Sequence, residues 1–278
     1  MAFLELESIS KSYGRGRDRV EVLHGIDLEV EEGEFVAVLG FSGTGKTTLV
    51  SLIGGLIRPD EGKVRLEGKE VLNPGPHCGF VFQNYSLLPW LTARENIDLA
   101  VDHLFKDWPK AKRREHVERY LAMVNLSAAG EKHPRELSGG MRQRVSVARA
   151  LAMNPKMLLL DEPLGALDAI TRASLQSEIS KIWSRDRKTV VLVTNDIDEA
   201  ILLADRIVPL TPGPRATLGP IFPVPLCRPR MRAEFNEDPI YKRLRNDITK
   251  YFLSFRHSAR NHEADLRLPD IRPMEMVA

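Results

Sequence analysis

The chain has 278 residues, 43% of them apolar, and a formal net charge of +2. This length predicts one or two domains with a substantial buried core, and the balanced charge gives no indication of a nucleic-acid partner. The two cysteines, Cys78 and Cys227, lack metal-ligand spacing and favour a reduced cytoplasmic compartment. The first residues do not resemble a signal peptide, and no apolar run approaches the ~18 residues of a membrane span, so we expect membrane contact only through a partner.

Strand and helix patterns alternate along the first 211 residues. The predicted elements are antiparallel strands at 3–9 and 20–30, a strand at 34–40, a helix to about 57, strands at 62–68 and 78–82, helices within 92–153, and strands at 156–162, 189–194 and 205–210. The run EFVAVLG at 34–40 is almost continuously apolar, which is typical of a strand covered on both faces. These patterns predict an α/β fold with a mainly parallel core sheet, an N-terminal antiparallel β subdomain and a helical subdomain inserted over about 85–153.

A glycine-rich loop follows the strand at 34–40. It reads GFSGTGKT and matches the phosphate-binding P-loop pattern, whose backbone N–H groups wrap a phosphate. Lys46 is expected to reach the β- and γ-phosphates, and the Thr47 hydroxyl to ligate Mg²⁺. The alternative, an ordinary glycine-rich turn, does not explain why a strand pattern precedes the loop and a helix pattern follows it. The predicted nucleotide-binding residues are Gly40, Phe41, Ser42, Gly43, Thr44, Gly45, Lys46, Thr47 and Thr48.

Two acids end the apolar strand pattern of MLLLDEP. We expect Asp161 to hold the Mg²⁺ and Glu162 to polarise an attacking water. Gln83 follows another strand and could reach the metal or the water from the other side, or it could be an exposed loop amide. Tyr13, in SKSYG, could stack on adenine, or it could be a half-buried tyrosine at a strand end.

The segment LSGGMRQ, residues 137–143, begins a helix with Ser138, Gly139 and Gly140. Its bare backbone amides make a second anion-binding helix N-terminus. A chain with one nucleotide site does not need two phosphate-binding helix N-termini. This segment is therefore expected to close over the nucleotide of another copy.

In this order along the chain, the P-loop, Gln83, LSGGMRQR, LLLDEP and the loop at 165–168 resemble the ATP-binding subunits of ABC transporters, over roughly residues 3–211. The segments DEPLGALDAITR and TNDIDEAILLADRIVPLTPGP further resemble the nitrate/sulfonate/bicarbonate/taurine importer branch. The resemblance implies the ABC ATPase fold with its P-loop NTPase core, ATP and Mg²⁺ as cofactors, and ATP hydrolysis as the reaction.

The resemblance also implies partners. ATP would lie between the P-loop of one subunit and the Ser138–Gly140 helix of a second ATPase subunit, which could be an identical copy or a paralogue, with Asp168 at the seam. The helical subdomain would dock on integral membrane permease subunits, which work with an external solute-binding protein, so the chain would be peripheral on the cytoplasmic side of the inner membrane. The apolar residues of the loop after Gln83 suit a partner's helix or, alternatively, core packing; they are Leu87, Leu88, Trp90 and Leu91.

Asn195 stands where the family usually has a histidine that bonds the γ-phosphate and helps Glu162 position the water. An asparagine keeps a donor but is shorter and cannot become charged. Losing one donor to transition-state charge lowers the rate by about 10²–10³-fold. Because Lys46, Glu162 and the other motifs are complete, the sequence favours a hydrolysing subunit with one altered part, which is slower or pairs with a different ATPase subunit.

The composition changes after residue 211, where the last 68 residues hold nine of the eighteen prolines. An apolar repeat indicates one amphipathic helix over about 238–256, and an irregular tail is expected over 257–278. We therefore divide the chain into an ATPase domain, 1–211, and an extension, 212–278. The helix is expected to pack on its own core; the alternative is a regulatory or membrane-surface contact through Lys242, Arg243, Arg245 and Lys250. The repeat comprises Ile240, Leu244, Ile248, Phe252 and Phe255.

Three functions compete. The leading one is the ATP-hydrolysing subunit of an importer for nitrate or a related small anion. A nucleic-acid machine of the same superfamily would carry long coiled coils or two cassettes, whereas this chain has one P-loop and no heptad run. An ATP-gated clamp that closes but hardly hydrolyses is the third, and Asn195 favours it. Single-turnover hydrolysis would separate the first from the third.

Overall fold

A computed structural model describes residues 2–165, 167–232, 235 and 237–264, with backbone only at 182, 185, 186 and 256–264. Two sheets organise the described chain. The antiparallel sheet has the strand order β2-β1-β4-β5, and the six-stranded sheet has the order β10-β9-β3-β8-β7-β6. The strands are β1 (Leu4–Tyr13), β2 (Val20–Val30), β3 (Phe35–Leu39), β4 (Glu61–Leu66), β5 (Lys69–Glu70), β6 (Cys78–Val81), β7 (Met157–Asp161), β8 (Thr189–Thr194), β9 (Arg206–Pro209) and β10 (Phe222–Pro223).

The six-stranded sheet is parallel from β9 to β6, as the sequence predicts. Strands β3, β7 and β8 are buried along their whole length, which explains their unbroken apolar sequences. The sequence predicts a last core strand at 205–210, but the short strand β10 adds one antiparallel edge beyond β9. The carboxyl ends of β3, β8 and β7 lie side by side, because β8 pairs in parallel with β3 on one side and with β7 on the other.

Seven α-helices complete the described chain. They are α1 (Lys46–Ile53), α2 (Ala93–Leu104), α3 (Lys110–Met123), α4 (Gly139–Ala152), α5 (Ala169–Asp186), α6 (Ile197–Leu203) and α7 (Pro239–Ala264). Helix α1 is shorter than the expected helix to about residue 57, because Gly54 and Gly55 follow it and Gly55 has a φ of +72°.

Helices α2, α3 and α4 pack on one another as the predicted helical subdomain. Thr92 caps α2 in a capping box with Glu95. The fully buried Asn96 accepts a hydrogen bond from the Leu88 N–H at 2.8 Å and donates to the carbonyls of Leu88 and Leu91. One buried amide therefore fixes the shape of the loop that precedes α2.

Helix α7 packs on the core with Leu244, Ile248 and Phe252 buried, as expected. Ile240, however, is 46% exposed, and Tyr241 is buried in its position. A strict four-residue repeat drifts around a helix of 3.6 residues per turn, so the first member of the series leaves the buried face. The helix continues past residue 256 to Ala264, and the remainder of the expected irregular tail lies outside the described residues.

None of the helices in the described part of the chain is both long and apolar enough to cross a membrane.

Candidate active site

The loop from Gly40 to Gly45 joins the end of β3 to the start of α1. Gly45 is the N-terminal cap of α1 with a φ of +96°, a backbone conformation that side chains disfavour. Thr44 is buried and its hydroxyl donates to the Phe41 carbonyl at 3.0 Å, which closes the loop on itself. The loop therefore has the strand, turn and helix that a P-loop requires.

Lys46 is the first residue of α1 and its side chain is only 4% exposed. Its ammonium donates to the carbonyls of Gly40 at 3.0 Å and Phe41 at 2.7 Å, and it forms an ion pair with Glu162 at 2.9 Å. The lysine thus lies inside the loop and contacts the acid that follows β7.

Asp161 and Glu162 lie at the carboxyl end of β7 with different surroundings. Asp161 is buried and accepts a hydrogen bond from the Thr47 hydroxyl at 3.2 Å. Burial raises the pKa of Asp161, and the Thr47 hydrogen bond partly opposes this effect. Glu162 has a φ of +44°, and its N–H donates to the Val193 carbonyl of β8 at 2.9 Å. A non-glycine residue in this region is strained, and such strain concentrates at functional sites.

A cavity of about 140 Å³ lies beside Glu162. It brings Glu162 together with Gln83 and Asn195, which the sequence assigned to the same site from three separate segments. Gln83 and Asn195 are both exposed, so each amide can reach a molecule in this space. The lining residues are Gln83, Glu162, Leu164, Gly165, Arg172, Thr194, Asn195, Asp196 and Glu199.

Four polar residues of this cavity were not predicted from the sequence: Arg172, Thr194, Asp196 and Glu199. Thr194 donates its hydroxyl to Glu199 and accepts from the Asp196 N–H at 3.1 Å. Burial raises the pKa of Glu199 to about 7. Thr194 and Asp196 flank Asn195, so this network holds the turn that carries it. Their only sequence signal was position, because all four lie within the two segments that resemble the importer branch.

Tyr13 ends β1 and is 45% exposed, and its hydroxyl lies 3.5 Å from the Thr48 hydroxyl of α1. Tyr13 is therefore a partly exposed strand-end tyrosine beside the helix of the P-loop, and its stacking on adenine stays a prediction. Ser42 and Gly43 are exposed on the loop.

Ser138, Gly139 and Gly140 begin α4, and the Ser138 hydroxyl accepts from the Met141 N–H at 3.2 Å. A Cβ on Gly140 would lie 2.2 Å from the Thr171 methyl group of α5, so glycine is needed there for packing as well. The three residues line neither cavity described for the P-loop side of the chain. Within one chain, they are not brought to the residues around Lys46.

Asp168 caps α5, since its carboxylate accepts from the N–H groups of Ile170 at 3.1 Å and Thr171 at 3.0 Å. These hydrogen bonds lower the pKa of Asp168.

In the loop before α2, Trp90 is 68% exposed, whereas Leu87 packs against the core. Core packing therefore accounts for Leu87, and a partner surface at Trp90 stays a prediction.

Comparison with known proteins agrees with this geometry. The family profile described as "ABC transporter" matches residues 23–165. The bicarbonate transport ATP-binding protein CmpD of Synechococcus elongatus is 49% identical over 94% of this chain and 92% of its own length. The nitrate import ATP-binding protein NrtC of Synechocystis sp. is 48% identical over 91% of this chain, but over only 38% of its own length.

A solved structure is also similar. The ATP-binding cassette MJ0796, in a dimeric post-hydrolysis state bound to ADP and Pi, has a TM-score of 0.73 and 34% identity over 81% of this chain and all of that one. The predicted ABC ATPase fold and the resemblance to the bicarbonate and nitrate branch are thus confirmed. The chain belongs to the ABC transporter family, as a nucleotide-binding subunit that hydrolyses ATP.

Proposed function

We propose that this chain powers the import of a small inorganic anion, bicarbonate or nitrate, by binding and hydrolysing ATP at the edge of the six-stranded sheet. One observation carries the proposal: four residues from separate segments meet around the ends of β3, β6, β7 and β8. They are Lys46, Gln83, Glu162 and Asn195. The anion itself is proposed from the relatives, whose names specify bicarbonate and nitrate.

ATP binding is assigned to the loop and to α1. The N–H groups of residues 40–48 and the positive end of α1 would hold the β- and γ-phosphates, with the buried Lys46 ammonium as the principal charge. Lys46 would exchange its contact with Glu162 for a phosphate oxygen, which strengthens the interaction because the ligand carries more charge. The exposed ring of Tyr13 would stack on adenine, next to Thr48.

Mg²⁺ would be held by Thr47 and Asp161. Their oxygens lie 3.2 Å apart, close to the ~2.9 Å that separates adjacent ligands of an octahedral ion with 2.0–2.1 Å bonds. Two hard oxygen donors, one of them a carboxylate, suit this cation. Gln83 is the third proposed ligand, through its amide oxygen. The bound ion would neutralise charge on the phosphates.

Hydrolysis is assigned to the residues around the cavity beside Glu162. The Glu162 carboxylate would accept a proton from the attacking water as general base. The Gln83 amide would orient that water, and the Asn195 amide would donate to the γ-phosphate as charge develops on it. Glu162 and Asn195 line one space, which is the arrangement that this division of labour needs.

The complete site would require a second subunit, an identical chain or a paralogue. Ser138, Gly139 and Gly140 of that subunit would supply helix N-terminal amides to the γ-phosphate, and Asp168 would lie at the seam. The capped α4 supports this, because a well-formed helix N-terminus is the element that binds an anion. We propose that the assembly is peripheral on the cytoplasmic side of the inner membrane, bound to permease subunits through the loop with the exposed Trp90, and served by an external solute-binding protein.

Uptake of isotope-labelled bicarbonate and nitrate tests the anion. Cells that carry the wild-type chain together with its chromosomal partners should take up one of the two labelled anions. Cells that carry Lys46→Ala together with the same partners should not. If, for each anion, the variant strain takes up as much as the wild-type strain, the proposal is contradicted.

A second function, an ATP-gated clamp with weak hydrolysis, is favoured by one observation, the asparagine at position 195. In that case a partner subunit would supply the faster site. Single-turnover hydrolysis by the purified chain without a paralogue separates the two: a clamp would bind radiolabelled ATP but release phosphate far more slowly than the assembly that contains the paralogue.

A further inference from the structure

Helix α7 reaches the nucleotide-binding loop from the C-terminal extension. The ring of Phe252 contacts the ring of Phe41 in a T-shaped arrangement, with centroids 5.2 Å apart and planes at 77°. Phe252 is buried and Phe41 is partly buried. Such edge-to-face pairs are attractive beyond the apolar area that they bury.

The contact matters because Phe41 is tied to Lys46 through its backbone. The Phe41 carbonyl accepts from the Lys46 ammonium at 2.7 Å and from the Thr44 hydroxyl at 3.0 Å. The side chain of Phe41 is thus held by α7, while its main chain holds the phosphate-binding lysine. A shift of Phe41 would move the carbonyl that orients Lys46.

The same helix contacts the element that follows Asn195. The Tyr241 hydroxyl donates to the Asp198 carboxylate at 2.6 Å, and the Arg245 guanidinium donates to the same oxygen at 2.8 Å. The pKa of Tyr241 is raised to about 12, chiefly by burial and also by Asp198, so the hydroxyl remains a donor at neutral pH.

Asp198 is fixed in turn to the cap of α6. Its N–H donates to the Asp196 carboxylate at 2.9 Å, and Asp196 follows Asn195 directly. A space of about 440 Å³ is lined by residues of the phosphate-binding loop, the Asn195 turn and α7, among them Phe41, Asn195 and Phe252. Helix α7 therefore spans from the loop that binds phosphate to the turn that carries Asn195.

We propose that three residues of α7 are positioning residues for the ATP site: Phe252 for the phosphate-binding loop through Phe41, and Tyr241 and Arg245 for the Asn195 turn through Asp198. The inference rests on the proposed ATP site. Its consequence is that the extension beyond residue 211 takes part in ATP binding and turnover. The Phe41 contact affects the Kd for Mg-ATP, and the Asp198 contacts affect kcat.

The Phe41 contact should act on nucleotide binding. Phe252→Ala in the full chain should raise the Kd for Mg-ATP by about 2- to 10-fold, the range for loss of one aromatic pair. Phe252→Leu, which keeps most of the apolar volume, serves where the alanine variant folds poorly, and it should raise the Kd less. The matched control is Ile248→Ala, at a fully buried position of the same helix that does not line the space beside the loop.

Ile248→Ala should lower the melting temperature but leave the Kd unchanged at temperatures well below unfolding. Equal Kd values for the wild type and both Phe252 variants, measured by titration with a fluorescent ATP analogue, would overturn this part. An equal rise in Phe252→Ala and Ile248→Ala would overturn it as well, because the effect would then be general loosening of α7.

The Asp198 contacts should act on turnover. Tyr241→Phe removes only the hydroxyl, while the ring keeps its stack on Phe235 at 4.2 Å. This variant and Arg245→Ala should each lower kcat by about 5-fold with little change in KM for ATP. The matched control is Arg243→Ala, since Arg243 is 87% exposed and, among the described residues, forms an ion pair with Asp247 of the same helix.

In the Asp198→Ala background, Tyr241→Phe should have no further effect, because the acceptor is gone. An unchanged kcat in Tyr241→Phe and Arg245→Ala, or an equal loss in Arg243→Ala, contradicts the proposal. Lys46→Ala is measured in parallel. If it binds Mg-ATP normally, the proposed ATP site itself is wrong; if it loses binding while the α7 variants match the wild type, only the present inference fails.

Discussion

Lys46 and Glu162 form an ion pair of 2.9 Å, with the lysine side chain 4% and the glutamate side chain 18% exposed. They are more than a hundred residues apart in sequence and come from the two motifs that define the site. The pair joins the residue proposed to bind phosphate to the residue proposed to activate water. Binding of ATP would draw the ammonium towards phosphate and leave the carboxylate to accept a hydrogen bond from water.

Lys46→Ala should therefore abolish tight Mg-ATP binding. A charge-assisted hydrogen bond contributes about 1.5–3 kcal/mol, so the Kd should rise by roughly 10- to 150-fold, and turnover should be lost. Calorimetric titration of the purified chain measures the Kd. Lys69→Ala, an exposed lysine of β5, is the control and should bind as the wild type does. Unchanged ATPase activity in Lys46→Ala, measured with the permease, would count against the P-loop assignment.

Glu162→Gln should bind ATP but hydrolyse it about 10²–10⁴-fold more slowly, the contribution of a general base. The glutamine keeps an oxygen that can accept from Lys46, so the fold of the site should be kept. With hydrolysis stopped, the ATP-bound dimer should accumulate and be visible by light scattering with ATP but not with ADP. A variant that remains monomeric with saturating ATP, where the wild type dimerises, would exclude the two-subunit site.

Glu199 predicts a pH dependence of stability. Its pKa is raised from 4.5 to about 7, so the folded state keeps a proton that the unfolded state releases over that interval. The contribution of Glu199 to the free energy of unfolding should thus be fully present below about pH 4.5 and be lost as the pH rises to about 7, by up to about 3 kcal/mol. Asp196 adds to the shift and Arg172 opposes it.

Glu199→Gln should remove this component, because its amide does not titrate. Urea unfolding of both proteins at pH 5 and pH 8 gives the difference in unfolding free energy at each pH, in which the other titrating groups cancel. The difference should move in favour of the variant between pH 5 and pH 8. A difference that is the same at both values would show that Glu199 does not hold its proton in the folded chain.

Gly140→Ala should destabilise the chain by about 1–3 kcal/mol, the usual effect of overpacking. The added Cβ would lie 2.2 Å from the Thr171 methyl group. Thr171→Ser removes that methyl group and should recover most of the loss in the double variant, as measured by urea unfolding. No recovery would mean that the loss of stability does not come from crowding against the Thr171 methyl group.

The sequence predicted those parts of the fold and site that depend on local pattern. Continuous apolar runs predict β3, β7 and β8, and the spacing of the glycines predicts the P-loop. All of these signals are local in sequence, and the structure contains each of the predicted elements. The contact between Phe41 and Phe252 could not be predicted, because it joins residues more than two hundred positions apart through a helix whose docking direction depends on packing. The same holds for Arg172 and Glu199, which approach Asn195 only after α5 and α6 pack together.

Asn195 gives the sharpest test of the proposed mechanism. It follows β8 directly, is exposed, and lines both the cavity beside Glu162 and the larger space beside the P-loop. If its amide is a weaker donor to the γ-phosphate than an imidazole, Asn195→His should raise kcat by up to about 10²-fold, and Asn195→Ala should lower the activity that remains. The change should fall on kcat rather than on KM, because the contact strengthens in the transition state.

If a partner's site performs the hydrolysis instead, neither substitution should alter turnover of the mixed complex. Steady-state ATPase assays of all three forms, alone and with the membrane subunits, distinguish these outcomes. Ordinary turnover in a purified homodimer, with Asn195→Ala as active as the wild type, would mean that this residue has no part in hydrolysis.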